Sequence, residues 1–166
     1  MSPDSPVTVV EIGDLPQRLS KSQRLLGLDL GSKTIGLAIS DSALRIASPL
    51  ETIRRRKFAE DAAALRAICE DRKVGGLVLG LPVNMDGSEG PRCQSVRQFA
   101  ANLEALAGFT LPLAFWDERL STAAVERFLI DEADMTRKRR AAVVDKMAAA
   151  YILQGALDAL ARQAAR

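Results

Sequence analysis

Apolar positions along this chain fall into short continuous runs and helical stripes, and the two kinds alternate. Leu25, Leu26, Leu28 and Leu30 crowd a segment too short for a helix, so residues 25–30 read as a strand. Gly31-Ser32-Lys33 makes a turn, and Thr34-Ile35-Gly36-Leu37-Ala38-Ile39-Ser40 returns as a second strand, giving a hairpin. A third strand is expected at about 46–53, after the turn at Asp41-Ser42. Helical spacing then begins, with Phe58, Ala62, Leu65, Ile68 and Cys69 on one face. The run from Gly75 to Leu81 suits a strand buried on both faces. Residues 82–91 read as loop, with Asn84, Asp86-Gly87-Ser88 and Gly90 as its turn residues. Val96, Phe99, Leu103 and Leu106 mark another helix, and the run from Leu111 to Trp116 a strand ending at Asp117. A helix around Val125, Phe128 and Leu129 and a long one over about 138–164 complete the chain.

That order, βββαβαβαα, is an α/β layer architecture with a mixed sheet of five strands flanked by helices, antiparallel at first and parallel afterwards. Residues 1–23, rich in Pro, Ser and Asp, read as a flexible tail, and 24–166 as a single domain. No internal repeat is present.

Composition narrows the class. A chain of 166 residues, 48% hydrophobic and 27% charged, can bury a proper core. Net charge is only +2, so bulk electrostatics do not announce a nucleic-acid partner. Basic residues are nevertheless clustered, in Arg54-Arg55-Arg56-Lys57 and Arg137-Lys138-Arg139-Arg140, although such runs are often simply solvated. Cys69 and Cys93 lack metal-binding spacing and read as reduced thiols of a cytosolic protein. No stretch is apolar enough to span a bilayer, and the N-terminus lacks the layout of a signal peptide. The expectation is a cytoplasmic protein without a membrane partner.

Three carboxylates stand where solvation alone would not put them. Asp29 interrupts the first strand, Asp117-Glu118 closes the last, and Asp145 lies inside the alanine-rich helix. Charges in apolar elements are costly unless offset, and a divalent cation offsets them well. Asp29 shares strand parity with Gly27, which leaves room beside it for a ligand; capping of the Gly31-Ser32 turn is the lesser alternative. Asp145 has Ala141, Ala148, Ala149, Ile152 and Ala156 as surface neighbours on its helix, a packing face rather than a wet one. Asp117 and Glu118 alternate in direction, and the pattern does not choose between them. Arg119 follows directly and suits a phosphate or a carboxylate, while Ser121 or Thr122 would cap the next helix. The loop over 82–91 leaves the C-terminal end of a buried strand, where open α/β sheets bind ligands. It lacks the Gly-Lys-Ser/Thr of a phosphate loop.

Four segments together resemble one family. Leu28-Asp29-Leu30-Gly31-Ser32-Lys33-Thr34-Ile35-Gly36, then Gly80-Leu81-Pro82 with Asp86-Gly87-Ser88-Glu89-Gly90, then Asp117-Glu118-Arg119-Leu120-Ser121-Thr122, and finally the segment from Val144-Asp145-Lys146 to Gln154 are similar to the YqgF family. The resemblance implies a ribonuclease H-like fold, related to the Holliday-junction resolvases. It implies a nuclease for the 5′ end of pre-16S ribosomal RNA in the bacterial cytoplasm, a family earlier described as junction resolvases. Carried over by position, Asp29, Glu118 and Asp145 become the catalytic, metal-holding acids.

Three carboxylates without histidine suit Mg²⁺ or Mn²⁺ better than zinc, and two such ions roughly 3.5–4 Å apart can bracket a scissile phosphate. Ser32, Lys33, Asn84, Arg119, Arg137, Lys138, Arg139 and Arg140 are the candidate contacts to the nucleic-acid backbone. Five Phe, one Tyr and one Trp leave little for base stacking. The expected partner is RNA, with branched DNA as the alternative substrate. A junction resolvase would need a homodimer, whereas RNA trimming allows a monomer. Two other readings remain. Asp29-x-Gly31-Ser32 also resembles the first phosphate motif of actin-like and sugar-kinase ATPases, which need a second domain. A nucleic-acid-binding or transcription-linked factor with a weak nuclease centre is the other.

Overall fold

The computed structural model describes residues 9–120 and 137–165, with only the helix backbone over 137–143. The helix expected around Val125, Phe128 and Leu129, and the cap at Ser121 or Thr122, lie outside the described residues.

Strands β1 (Arg24–Leu30), β2 (Thr34–Ser40) and β3 (Ala47–Arg54) form the expected meander. Helix α2 (Phe58–Asp71), β4 (Val74–Leu81), α3 (Pro91–Ala105), β5 (Leu113–Asp117) and α4 (Arg137–Ala164) follow; a short α1 (Leu15–Arg18) precedes β1. The sheet has five strands in the order β3-β2-β1-β4-β5. β1 pairs antiparallel with β2 and parallel with β4, and β5 runs parallel to β4. This is the mixed sheet that the order of elements requires.

Strand alternation divides the core in two. Leu26, Leu28, Ile35, Leu37, Leu77 and Leu79 face α2 and α3, where Ala62, Leu65, Val96, Phe99 and Leu103 meet them. Leu25, Ala38, Val78, Ala114 and Trp116 face α4, against Ala149, Ile152, Leu153, Ala156 and Leu157. All eight residues of β4 are buried, as a strand covered on both faces should be. Small residues let α4 settle close to the sheet: a β-carbon at Gly27 would stand 2.8 Å from Leu153 Cβ, and one at Gly155 2.9 Å from Trp116 Nε1. The edge strand β3 carries Pro49 beside a register shift, where a missing N–H is tolerated.

Two sequence expectations change. The stretch taken as tail packs onto the sheet from Val9 onward. Val9 bridges to Leu113 on the outer edge of β5, Val10 N–H donates to Leu113 O at 2.8 Å, and Leu15 is fully buried. One large apolar side chain in the core outweighs the polar composition around it. Leu106, placed on the buried face of α3, is instead its C-cap and 73% exposed. Among the described residues, no helix is long and apolar enough to cross a membrane.

Candidate active site

Asp29 sits near the C-terminal end of β1 and is only 7% exposed. Its parity places it on the α4 face of the sheet, with Leu25 and Gly27. The residue paired with it on β2 is Gly36. On the other side the register Leu28–Leu79 puts Gly80 of β4 one step further, alongside Asp29. Asp29 therefore stands between two residues without side chains. The other two acids occupy those bare positions.

Asp145 covers the first. A β-carbon on Gly36 would run into the backbone carbonyl of Asp145, so α4 touches the sheet at this point. The Asp145 carboxylate is half-buried, and its Oδ2 accepts a hydrogen bond from the hydroxyl of Thr34. Thr34 begins β2 on the same face as Gly36 and Ala38. Strand alternation carried that signal, but Thr34 was not among the sequence candidates.

Glu118 covers the second. β5 aligns Trp116 with Gly80 and Asp117 with Leu81, after which the chain tightens into a 3-10 turn, Glu118–Leu120. The turn brings the Glu118 side chain over Gly80, where a β-carbon would lie 3.2 Å from its Cγ and 3.3 Å from its carboxyl carbon. Asp117 is engaged elsewhere. Its carboxylate accepts from Arg119 Nη2 at 2.6 Å, from Nε at 3.0 Å and from the Arg119 backbone N–H at 2.9 Å. The Arg119 guanidinium holds the Asp117 carboxyl below its ordinary value. In this geometry Glu118 shares the surface of Asp29, whereas Asp117 is engaged by Arg119.

Arg119 also donates to Met85 O at 3.3 Å, tying the end of β5 to the loop after β4. That loop is closed on itself. Asn84 N–H donates to Ser88 O at 2.9 Å and the Asn84 side chain to Ser88 Oγ at 3.1 Å. Asp86 accepts from Ser88 Oγ at 2.6 Å and from its N–H at 2.9 Å, which lowers the Asp86 pKa. Gly87, at φ +89°, supplies the left-handed step of this turn.

Ser32 and Lys33 are exposed in the β1–β2 turn, directly after the Asp29 strand. Asn84 is exposed but occupied within its own loop. Arg137, Lys138, Arg139 and Arg140 form the first turn of α4, and their side chains lie outside the described residues. Cys69 and Cys93 are free and buried, as expected of reduced thiols.

Among the described residues, no group of three acids is drawn tightly enough to form a ready metal-ligand set. The donor set itself fits a hard divalent ion: Asp29, Glu118 and Asp145 offer carboxylate oxygen alone.

A family model described as "RuvX: Holliday junction resolvase" matches residues 23–159. A protein of Paramagnetospirillum magneticum named "Putative pre-16S rRNA nuclease" is 68% identical over 145 residues, 87% of this chain and 92% of that protein. One of the same name from Phenylobacterium zucineum is 60% identical over 154 residues, covering 93% of this chain and 98% of its own. In fold, the crystal structure of the yeast mitochondrial Holliday junction resolvase is similar, with a TM-score of 0.52 at 15% identity, over 93% of this chain and 85% of that one. The ribonuclease H-like architecture and a hydrolase acting on phosphodiester bonds are therefore borne out. With the family model spanning nearly all of the described fold, this nuclease belongs to the RuvX (YqgF) family.

Proposed function

We propose that this nuclease matures the 5′ end of pre-16S ribosomal RNA in the cytoplasm, with Mg²⁺ or Mn²⁺ held by Asp29, Glu118 and Asp145. The observation that carries the reading is Asp29 flanked by Gly36 and Gly80, with Asp145 above one and Glu118 above the other. The names of the relatives from P. magneticum and P. zucineum support the substrate. When bound, such an ion supplies an activated water near neutral pH and takes up charge on the phosphoryl oxygens.

The residues of the chain do the positioning. The Thr34 hydroxyl fixes the direction of the Asp145 carboxylate. Arg119 keeps Asp117 away from the cluster and braces the loop that borders it. Ser32 and Lys33, exposed beside the Asp29 strand, suit contact with backbone phosphates, as does the basic first turn of α4.

A second reading rests on the description of the matching family as a Holliday junction resolvase. Branched DNA would then be the substrate, and paired nicks would call for a homodimer; RNA trimming is compatible with a monomer. The test is cleavage of end-labelled 16S precursor RNA and of a four-way DNA junction in Mn²⁺, with wild type beside Asp29→Asn and Asp145→Asn. RNA cut by wild type alone supports the proposal. Paired symmetric nicks in the junction, with the RNA intact, replace it with the resolvase reading. Precursor RNA left uncut by wild type overturns it.

A further inference from the structure

On the opposite face of the sheet, a cleft of about 360 Å³ opens between the β1–β2 turn and α3. Gly31 and Ser32 form one wall, Arg92 and Ser95 of α3 the other, and Arg55 closes it over Phe99. A second cleft of about 260 Å³ shares Arg55, Ser95 and Phe99 and continues past Arg56 and Gln98. The two clefts adjoin along Arg55, Ser95 and Phe99 as one groove, separated from the carboxylates by the Gly31–Lys33 turn that follows β1.

The charge of this groove is not internally neutralised. Arg72, Arg97 and Arg119 each pair with a carboxylate, whereas Arg55, Arg56 and Arg92 pair with none among the described residues. Asp61, the one acid lining the groove among the described residues, is 3% exposed and accepts the Arg56 backbone N–H at 3.0 Å. Arg55 is held in place. Its Nη1 donates to Gly31 O at 2.7 Å and its guanidinium lies 5.6 Å from the Phe99 ring centroid. Arginine has five donor hydrogens, so a guanidinium fixed through one nitrogen retains donors for an oxyanion. Arg92 is exposed in the first turn of α3, where a cation meets the positive end of the helix dipole. That position is unfavourable unless an anion sits beside it.

We propose that this groove binds consecutive phosphodiester groups of the RNA strand beyond the scissile phosphate, one at Arg55, Arg92 and Ser95 and the next at Arg56. The strand would cross the Gly31–Lys33 turn from the carboxylate face to reach it. This deepens the RNA reading above and rests on it. The groove gives the 54–57 basic cluster a role distinct from that of the acids.

The test is fluorescence anisotropy of a short labelled single-stranded RNA in EDTA, titrated across salt concentrations. Variants are the double substitutions Arg56→Ala with Arg92→Ala, and Arg56→Lys with Arg92→Lys. Arg55 is left intact because it also holds the turn. Loss of two phosphate contacts lowers the slope of log affinity against log salt by about 1.4, and weakens binding about 25-fold near 0.1 M salt. The lysine pair, which keeps the charge, retains the wild-type slope. An alanine pair with wild-type affinity and slope overturns the groove, even if precursor RNA is cut normally. A reduced slope in a protein that does not cut the precursor upholds the groove and removes the maturation reading alone.

Discussion

The hydroxyl of Thr34 donates to Oδ2 of Asp145, joining the first residue of β2 to a helix 111 positions later in the chain. The contact orients one acid of the proposed catalytic set from the strand next to another. Replacing Thr34 with Val removes the donor at nearly constant volume. Losses of about 10–100-fold in metal affinity or activity are typical for such supporting bonds. Thr34→Ser restores most of the activity, and the melting temperature separates this effect from simple unfolding.

The two glycines beside Asp29 respond differently to a methyl group. At Gly36 the added carbon meets backbone, the Asp145 carbonyl, which moves only with the whole of α4. Gly36→Ala therefore destabilises by about 1–3 kcal/mol or more and abolishes cleavage. At Gly80 the first obstacle is Ile152 Cδ1 at 2.6 Å, the far end of a side chain that can turn away. Gly80→Ala costs less stability but displaces Glu118, so kcat falls while the melting temperature stays closer to wild type. Denaturant titrations beside single-turnover cleavage rates check both.

The Asp117–Arg119 pair predicts a pH dependence of stability. Arg119 holds the Asp117 carboxyl below its ordinary value of 3.8, so the unfolded chain binds this proton more readily than the folded one. The contribution is fully present above 3.8 and is lost as pH falls through the depressed folded value. Wild type is accordingly more stable than Asp117→Asn near neutral pH, and the gap closes under acid. Thermal melts of both proteins across that range measure it. A gap that persists at the acid end refutes the assignment.

Burial pushes the Cys69 thiol up to about 11, and burial raises Cys93 as well. Thiolates are the reactive species, so neither cysteine alkylates at an appreciable rate in the native protein. Iodoacetamide labelling followed by mass spectrometry gives two unmodified thiols under native conditions and two modified ones in denaturant.

Much of this architecture was legible because strands encode their faces in alternation. Gly27 and Asp29 share parity, which puts both on one face of the sheet, the face that α4 covers. Alanines around Asp145 signalled a helix pressed against a sheet, and Ala148, Ala149 and Ala156 are buried there. What the pattern missed depends on contacts between distant segments. Alternation stops at the end of β5, where the 3-10 turn redirects Glu118, so periodicity alone could not choose it over Asp117. Alternation puts Thr34 on the face of Gly36, but its pairing with Asp145 depends on where α4 lands along the sheet, which the strand's own sequence does not encode. The packing of Val9–Arg18 escaped because composition averages over a segment, whereas burial of Leu15 is decided by one site on the sheet.

The dependence of Asp145 on α4 also sets a schedule for assembly. β1 and β2 pair within a local hairpin, so Asp29 and its partner glycine come together early during synthesis. The third acid arrives only when α4, the last described element, has left the ribosome and closed over Gly36. A nascent chain thus carries one acid in a finished hairpin and no complete cluster. A nuclease made beside abundant RNA would then complete its proposed set of acids only once α4, the last described helix, has docked.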